Sequence, residues 1–308
     1  MTWLITGGSG FIGGHVLAAL EDKVVAGERV VALGRHHPGG LPYDRFVRAD
    51  LQDLPGLTRA IASIEPDVVI HAAGKTPPAP SDALYEANTR GTRFLLDALR
   101  ATGKPCRVVL AGSAAELGPV PAELLPADEG CRCRPADSYG MSKWAATRLV
   151  LTAEGPIDGV VARLFNPIGP GMPTTQAFGR FAAMLAEANP DPLTMRVGDL
   201  AARRDFLDVR DAASALVALA EHGDPGTLYH IGTGVSRSIG EGLAEMIRLS
   251  GRTVRIEEAP GRGGPSDSRA DIRRIVAATG WRPRFRFETT LRDLWDAAKR
   301  RATTRLVA

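Results

Sequence analysis

With 308 residues, 44% of them hydrophobic and 24% charged, the chain can build a large core and, at roughly 150 residues per domain, two domains. A net charge of +3, with arginines scattered among Asp and Glu, gives no nucleic-acid footprint, and no apolar run approaches the roughly 18 residues of a membrane span. Cys106, Cys131 and Cys133 offer neither an even disulfide set nor a zinc spacing, so they read as reduced thiols and no metal is expected. Met1 runs into TWLIT without the basic and cleavage regions of a signal peptide, so a cytoplasmic protein is expected.

TWLIT is short and apolar, as a buried strand is. After the glycines that follow it, Ile12, Val16 and Leu20 recur at helical spacing with Leu17 beside them. Strand, glycine turn and helix together give Gly7, Gly10 and Gly13 a physical meaning. The first permits a tight turn, the second a close approach to a pyrophosphate, and the third close helix packing. RVVALGR reads as the next strand. It ends in Arg35, His36 and His37, with no carboxylate until Asp44. An acid there would suit the ribose 2′-hydroxyl of NAD, whereas Arg suits a 2′-phosphate, so NADP(H) is preferred and NAD(H) stays open. Arg35 and the histidines could equally be an exposed loop. Asp50 of RADL could meet an adenine amino group or cap the following helix.

PDVVIHAAG, CRVVLAGS and GVVARLF are further apolar strands, alternating with helical periods such as NTRGTRFLLDALRATG, where Phe94, Leu95, Ala98 and Leu99 share a face and Gly103 is expected as the C-cap. Such alternation indicates an α/β fold with a doubly wound parallel sheet. Ser113 falls at a strand's carboxyl end, and YGMSK sets Tyr139 and Lys143 four residues apart on one helix face. A free tyrosine has a pKa near about 10, and an ammonium about 4 Å away contributes roughly 4 kcal/mol at an effective dielectric of 20. Lys143 is therefore expected to lower Tyr139 into the range of a working acid and base, with Ser113 holding the reacting oxygen. Ser238 and Glu241 form a capping box. PGRGGPSDSR reads as a flexible lid and KRRATTR, Lys299 to Arg305, as a solvated tail.

These motifs resemble an extended short-chain dehydrogenase/reductase of the NAD-dependent epimerase/dehydratase family. TGGSGFIG, HAAG, AGSAAELG and YGMSK carry the likeness, which continues through RLFNPIGPG, RRDFLDVRDAA, YHIGTG and ATGWRP. The resemblance implies a Rossmann domain, residues 1–165 with 205–232 returning to it, and a smaller C-terminal substrate domain, 166–204 and 233–308. It also implies a nucleoside-diphosphate sugar as substrate and a homodimer. The implied cofactor contacts are Gly7, Gly10, Phe11, Ile12, Gly13, Arg35, Asp50, Leu51, Ala72, Ala73, Gly74 and Lys143. The implied sugar contacts are Lys75, Asn166, Arg204 and Arg269. Asn166 could instead order a loop, and Arg204 could pair with Asp208 or Asp211.

Sugar dehydratases of this type carry acids directly after the serine or threonine, where this chain has Ala114 and Ala115. Glu116 is one place further on, as a turn residue or as an acid. Elimination lacks its acid and base, and redox at one carbon remains. The pattern is nearest to reductases of GDP-4-keto-6-deoxymannose, so the expected activity is NADPH-dependent reduction of a nucleoside-diphosphate 4-keto-6-deoxy sugar. The alternatives are an epimerase that holds NAD tightly and a non-catalytic redox-sensing protein.

Overall fold

In a computed structural model that describes residues 1–187, 192–259 and 267–307, TWLIT forms strand β1 (Thr2–Thr6) and the glycines turn it into helix α1 (Phe11–Ala19). There follow β2 (Arg29–Gly34), β3 (Phe46–Arg48), α2 (Leu54–Ile64), β4 (Val68–His71), α3 (Gly91–Arg100) and β5 (Cys106–Ser113). Next come α4 (Ser138–Leu151), β6 (Ile157–Leu164), α5 (Ala177–Ala186), α6 (Val209–His222), β7 (Thr227–Ile231), α7 (Ile239–Ser250), α8 (Arg273–Thr279) and α9 (Phe287–Val307). The seven strands lie in the order β3-β2-β1-β4-β5-β6-β7, every neighbouring pair parallel. The order reverses between β1 and β4, which opens a crevice beyond their carboxyl ends.

Alternation along β1 shows why the strands are apolar throughout. Trp3 and Ile5 pack into one cluster with α1 and α6, while Leu4 packs into the opposite one with α2, α3 and α4. Each such side chain, wholly removed from water, contributes roughly 1.5–3 kcal/mol.

A third cluster joins Phe178, Phe181 and Leu185 of α5 to Leu243 and Met246 of α7 and to Leu291 and Trp295 of α9. Helix α7 opens on the expected capping box: Glu241 N–H donates to Ser238 Oγ at 2.9 Å, and Ser238 N–H donates to Glu241 Oε2 at 2.9 Å. Two expectations change. Lys299 to Arg305 continue α9 instead of trailing as a tail, because the helix is already anchored by Leu291, Leu294 and Trp295. The C-cap of α3 is Ala101, and Gly103 lies two residues beyond at φ 66°, its N–H donating to Arg100 O at 3.0 Å. Among the described residues, no helix is long and apolar enough to cross a membrane.

Candidate active site

The crevice holds a cleft of about 280 Å³ lined by the glycine turn, the end of β2, Asp50, Leu51, and the Ala72-Ala73-Gly74-Lys75 segment. Gly7 sits at φ 77° where a Cβ would stand 2.6 Å from Ala73 N, so only glycine lets the two loops meet. A Cβ on Gly13 would stand 2.1 Å from Gly7 O, which makes Gly13 a packing residue behind the turn. Gly10 caps α1 with no side-chain hydrogen bond, and the first turn of α1 carries no acid. Free N–H groups and an unopposed helix dipole fit a dinucleotide pyrophosphate.

Arg35 and His36 line the far end of this cleft, while His37 stacks on Tyr43 with ring centroids 4.2 Å apart. Asp50 lines the cleft and accepts from Gln52 N–H at 3.0 Å; the cap of α2 is Asp53, which accepts from Gly56 N–H at 3.1 Å. Phe11 points the other way, into the third cluster, edge-on to His15. Lys75 lies on the rim of this first cleft, among the expected cofactor residues. Its N–H donates to Asn88 Oδ1 at 2.8 Å and its carbonyl accepts from Asn88 Nδ2 at 3.0 Å.

A second cleft, about 600 Å³, brings together Ile12, Ser113, Ala114, Ala115, Tyr139, Asn166, Arg204 and Ser268. Ser113 ends β5, and Tyr139 lies in the first turn of α4, capped by Asp137, which accepts from Gly140 N–H at 2.8 Å. A Cβ on Gly140 would stand 2.4 Å from Ala115 O, so glycine here lets α4 press against the serine turn. Ser113 and Tyr139 line this cleft together.

Burial pushes Tyr139 above its ordinary value, against the pull of Ser113, and the charges of Glu116 and Asp137 push the same way. The ammonium of Lys143 donates to Ala111 O at 2.5 Å, and burial lowers its pKa while Glu116 opposes that. The expected lowering of Tyr139 by Lys143 is therefore absent from this arrangement: the cation is engaged by a strand carbonyl and desolvation dominates the phenol.

Glu116 is fully buried and faces away from the cleft. Oε1 accepts from Ser113 N–H at 2.7 Å, and Oε2 accepts from Arg163 Nε at 3.1 Å and Nη2 at 2.9 Å. It is the turn residue, not an acid of the cleft.

Asn166 adopts φ 32° and donates to Asp205 O at 3.3 Å, so it orders its loop while lining the cleft. The pairings considered for Arg204 are taken. Asp208 binds Arg210 and Thr290, and Asp211 accepts from the N–H groups of Arg284 and Phe285. Arg204 lines the cleft with its pKa lowered by burial, against Asp199 and Asp267. Arg269 is not among the residues that line the cleft; it follows Ser268, which is, and lies 3.9 Å from Asp267. Residues 260–266 of the expected lid lie outside the described residues, and the rest is pinned: Ser268 O accepts from Asp205 N–H at 2.7 Å and Arg269 O from Ala127 N–H at 2.9 Å.

Sequence reasoning missed Asn88, which ties the segment after β4 to α4 through Ser142 at 2.9 Å, and the aromatic wall of Phe178 and Phe206, 4.9 Å apart. Neither has a motif; each is defined by partners distant in sequence. The described cysteines are free thiols, and burial pushes Cys106 to about 12. No described group of side chains could hold a metal ion.

The description "NAD dependent epimerase/dehydratase family" matches residues 3–232. The chain is 34% identical over 304 residues to a dTDP-6-deoxy-L-talose 4-dehydrogenase (NAD(P)(+)) of Kitasatospora kifunensis, covering 95% of this chain and 94% of the relative. It is 32% identical to a GDP-6-deoxy-D-mannose reductase of Pseudomonas aeruginosa, covering 96% and 97%. Among solved structures, RMD from Pseudomonas aeruginosa complexed with NADPH superposes with TM-score 0.80 at 29% identity, covering 97% of this chain and 99% of that one. A Thermus thermophilus UDP-glucose 4-epimerase complexed with NAD superposes with TM-score 0.84 at 28% identity, covering 97% and 99%.

Proposed function

Because the chain belongs to the NAD dependent epimerase/dehydratase family, and with it to the NAD(P)-dependent enzymes of nucleotide sugars, we propose that it reduces a nucleoside-diphosphate 4-keto-6-deoxy sugar with NADPH. One observation carries this reading. The second cleft is lined by Tyr139 and Ser113, read here as its proton-handling pair; Ala114 and Ala115 beside them carry no acid, and Asp137, a carboxylate that does line the cleft, is taken up as the cap of α4. Both relatives named above are, by their names, redox enzymes of a nucleotide-linked 6-deoxy sugar. Arg35, exposed at the end of β2 with no acid beside it, supports the phosphorylated dinucleotide.

In this reading residues 1–165 and 205–232 carry the dinucleotide, and 166–204 with 233–308 carry the sugar nucleotide, Asn166, Arg204 and Arg269 facing its polar groups. The glycine turn, Arg35 and Asp50 of the first cleft would hold the dinucleotide, whose chemistry there would be to supply a hydride to C4. Ser113 Oγ holds the C4 oxygen and Tyr139 gives it a proton. Lys143, held on Ala111 O in the dinucleotide-free protein, would be the cation that balances the phenolate left behind.

The same serine, tyrosine and lysine also suit a 4-epimerase, and the likeness to the NAD complex of the Thermus thermophilus enzyme favours keeping that second reading. A panel of dTDP-, GDP- and UDP-linked 4-keto-6-deoxy sugars and ordinary hexoses, with NADPH and product mass followed together, separates them. NADPH oxidation with a 4-keto sugar is expected. Isomerised hexose without net oxidation would establish the epimerase, and loss of water from a hexose would overturn both.

A further inference from the structure

We infer that Glu116 and Arg163 are positioning residues, a buried pair whose work is to hold the Ser113 main chain so that Oγ faces Tyr139. The inference rests on the roles given above to Ser113 and Tyr139.

Glu116 splits its carboxylate between two tasks: Oε1 takes the Ser113 N–H at 2.7 Å, and Oε2 takes two N–H groups of Arg163, at 3.1 and 2.9 Å. The guanidinium is itself fixed on its other sides. Nη1 donates to His230 Nε2 at 3.1 Å and Nη2 to Cys133 Sγ at 3.2 Å, while His230 Nδ1 donates to Ala127 O at 2.9 Å. Burial and the charge of Arg163 take the His230 pKa down to about 3, which keeps it neutral and accepting.

Ser113 Oγ in turn accepts from Ala115 N–H at 3.2 Å, closing the tight turn. The backbone makes room for this: a Cβ on Gly112 would stand 2.8 Å from Glu116 Oε1. Two buried charges are an unpromising way to stabilise a fold, since apolar side chains of similar volume often do as well or better. Here the pair is aimed at one amide, that of the serine in the second cleft.

The test compares two neutral replacements. Glu116→Gln/Arg163→Met keeps an acceptor for the Ser113 N–H, whereas Glu116→Leu/Arg163→Met removes it. With dTDP- or GDP-linked 4-keto-6-deoxyhexose and NADPH, the leucine variant is expected to lose on the order of 10²-fold in kcat with little change in KM. The glutamine variant should recover to within about tenfold of wild type on the same footing. On a Ser113→Ala background the two should be equal, because no serine remains to be placed. Equal kcat for the two variants with Ser113 present, or an undiminished difference without it, overturns the inference.

Amide hydrogen exchange in peptides spanning 106–118 reads the same contrast without substrate: faster exchange is expected in the leucine variant only, and equal exchange in both overturns the inference. This readout separates a failed substrate assignment from a failed positioning role. If the leucine variant does not fold, Gly112→Ala, whose methyl displaces Oε1, should reproduce the loss in kcat and the faster exchange. Wild-type values of both in that variant would overturn the inference.

Discussion

A phenol removed from water holds its proton more tightly, because the phenolate loses hydration that the protein must replace. In Tyr139 burial outweighs the opposing pull of Ser113, and Lys143, which could have offset it, is engaged by Ala111 O. The dinucleotide-free protein should therefore titrate Tyr139 above the ordinary value of about 10, leaving it protonated at neutral pH, as reduction requires. Tyrosinate absorbance of wild type minus Tyr139→Phe measures this directly, and ionisation near neutrality would contradict it. Tyr139→Phe itself should lower kcat by 10²–10⁴-fold with little change in NADPH affinity, read by steady-state rates and fluorescence titration. At the other cleft, Arg35→Asp removes a partner for a 2′-phosphate and supplies an acceptor for a ribose hydroxyl. The ratio of kcat/KM for NADPH over NADH should fall, whereas an unchanged ratio would reduce Arg35 to a loop residue. The places of Ser113, Tyr139 and Lys143 at a strand end and along one helix were legible because each sits in a short motif with a strand or helix beside it. The engagement of Lys143 by Ala111 was not, since the carbonyl lies 32 residues away on another element.

At the scale of elements, legibility follows burial. The strands of the parallel sheet are buried on both faces and read as unbroken apolar runs, so they declare themselves. The pairings around the second cleft, 203–205 with 236–238 and 167–168 with 207–208, are two or three residues long and too short for any period. One buried carboxylate anchors the first of these pairings. Asp205 accepts from Thr233 N–H at 2.8 Å, Thr233 Oγ1 at 2.6 Å, Gly234 N–H at 2.9 Å and Ala270 N–H at 3.1 Å, fastening two segments to the strand that carries Arg204. Asp205→Ala leaves those donors without an acceptor and is expected to cost roughly 2–5 kcal/mol, read as a lower urea midpoint at unchanged m-value. In protein that stays folded, KM for the sugar nucleotide should rise more than kcat falls, because Asn166 and Arg204 shift while Ser113 and Tyr139, set by β5 and α4, do not.

The first cleft is lined by residues between Gly7 and Ala87, the second by residues from Ile12 to Ser268, and helix α1 serves both. Its N-cap, Gly10, lines the first cleft, and Ile12 lines the second. Phe11, between them, packs into the third cluster, and His15 one turn on meets Pro170 O at 2.9 Å in the loop that follows Asn166. A dinucleotide that orders the N-terminus of α1 must therefore also bias the loop that borders the sugar nucleotide. Ligands that favour the same arrangement of one element bind cooperatively, and the coupling is reciprocal. NADPH should thus tighten the binding of dTDP or GDP, used as truncated substrates, by at least about fivefold, the lower end of common coupling energies. The nucleoside diphosphate should tighten NADPH by the same factor. Calorimetric titrations in both orders measure the two factors independently. His15→Ala, which removes the side-chain bond to Pro170 O while leaving the glycine turn intact, should reduce both factors together without weakening NADPH bound alone. Equal affinities with and without the partner ligand would mean that α1 is a rigid wall shared by two independent sites.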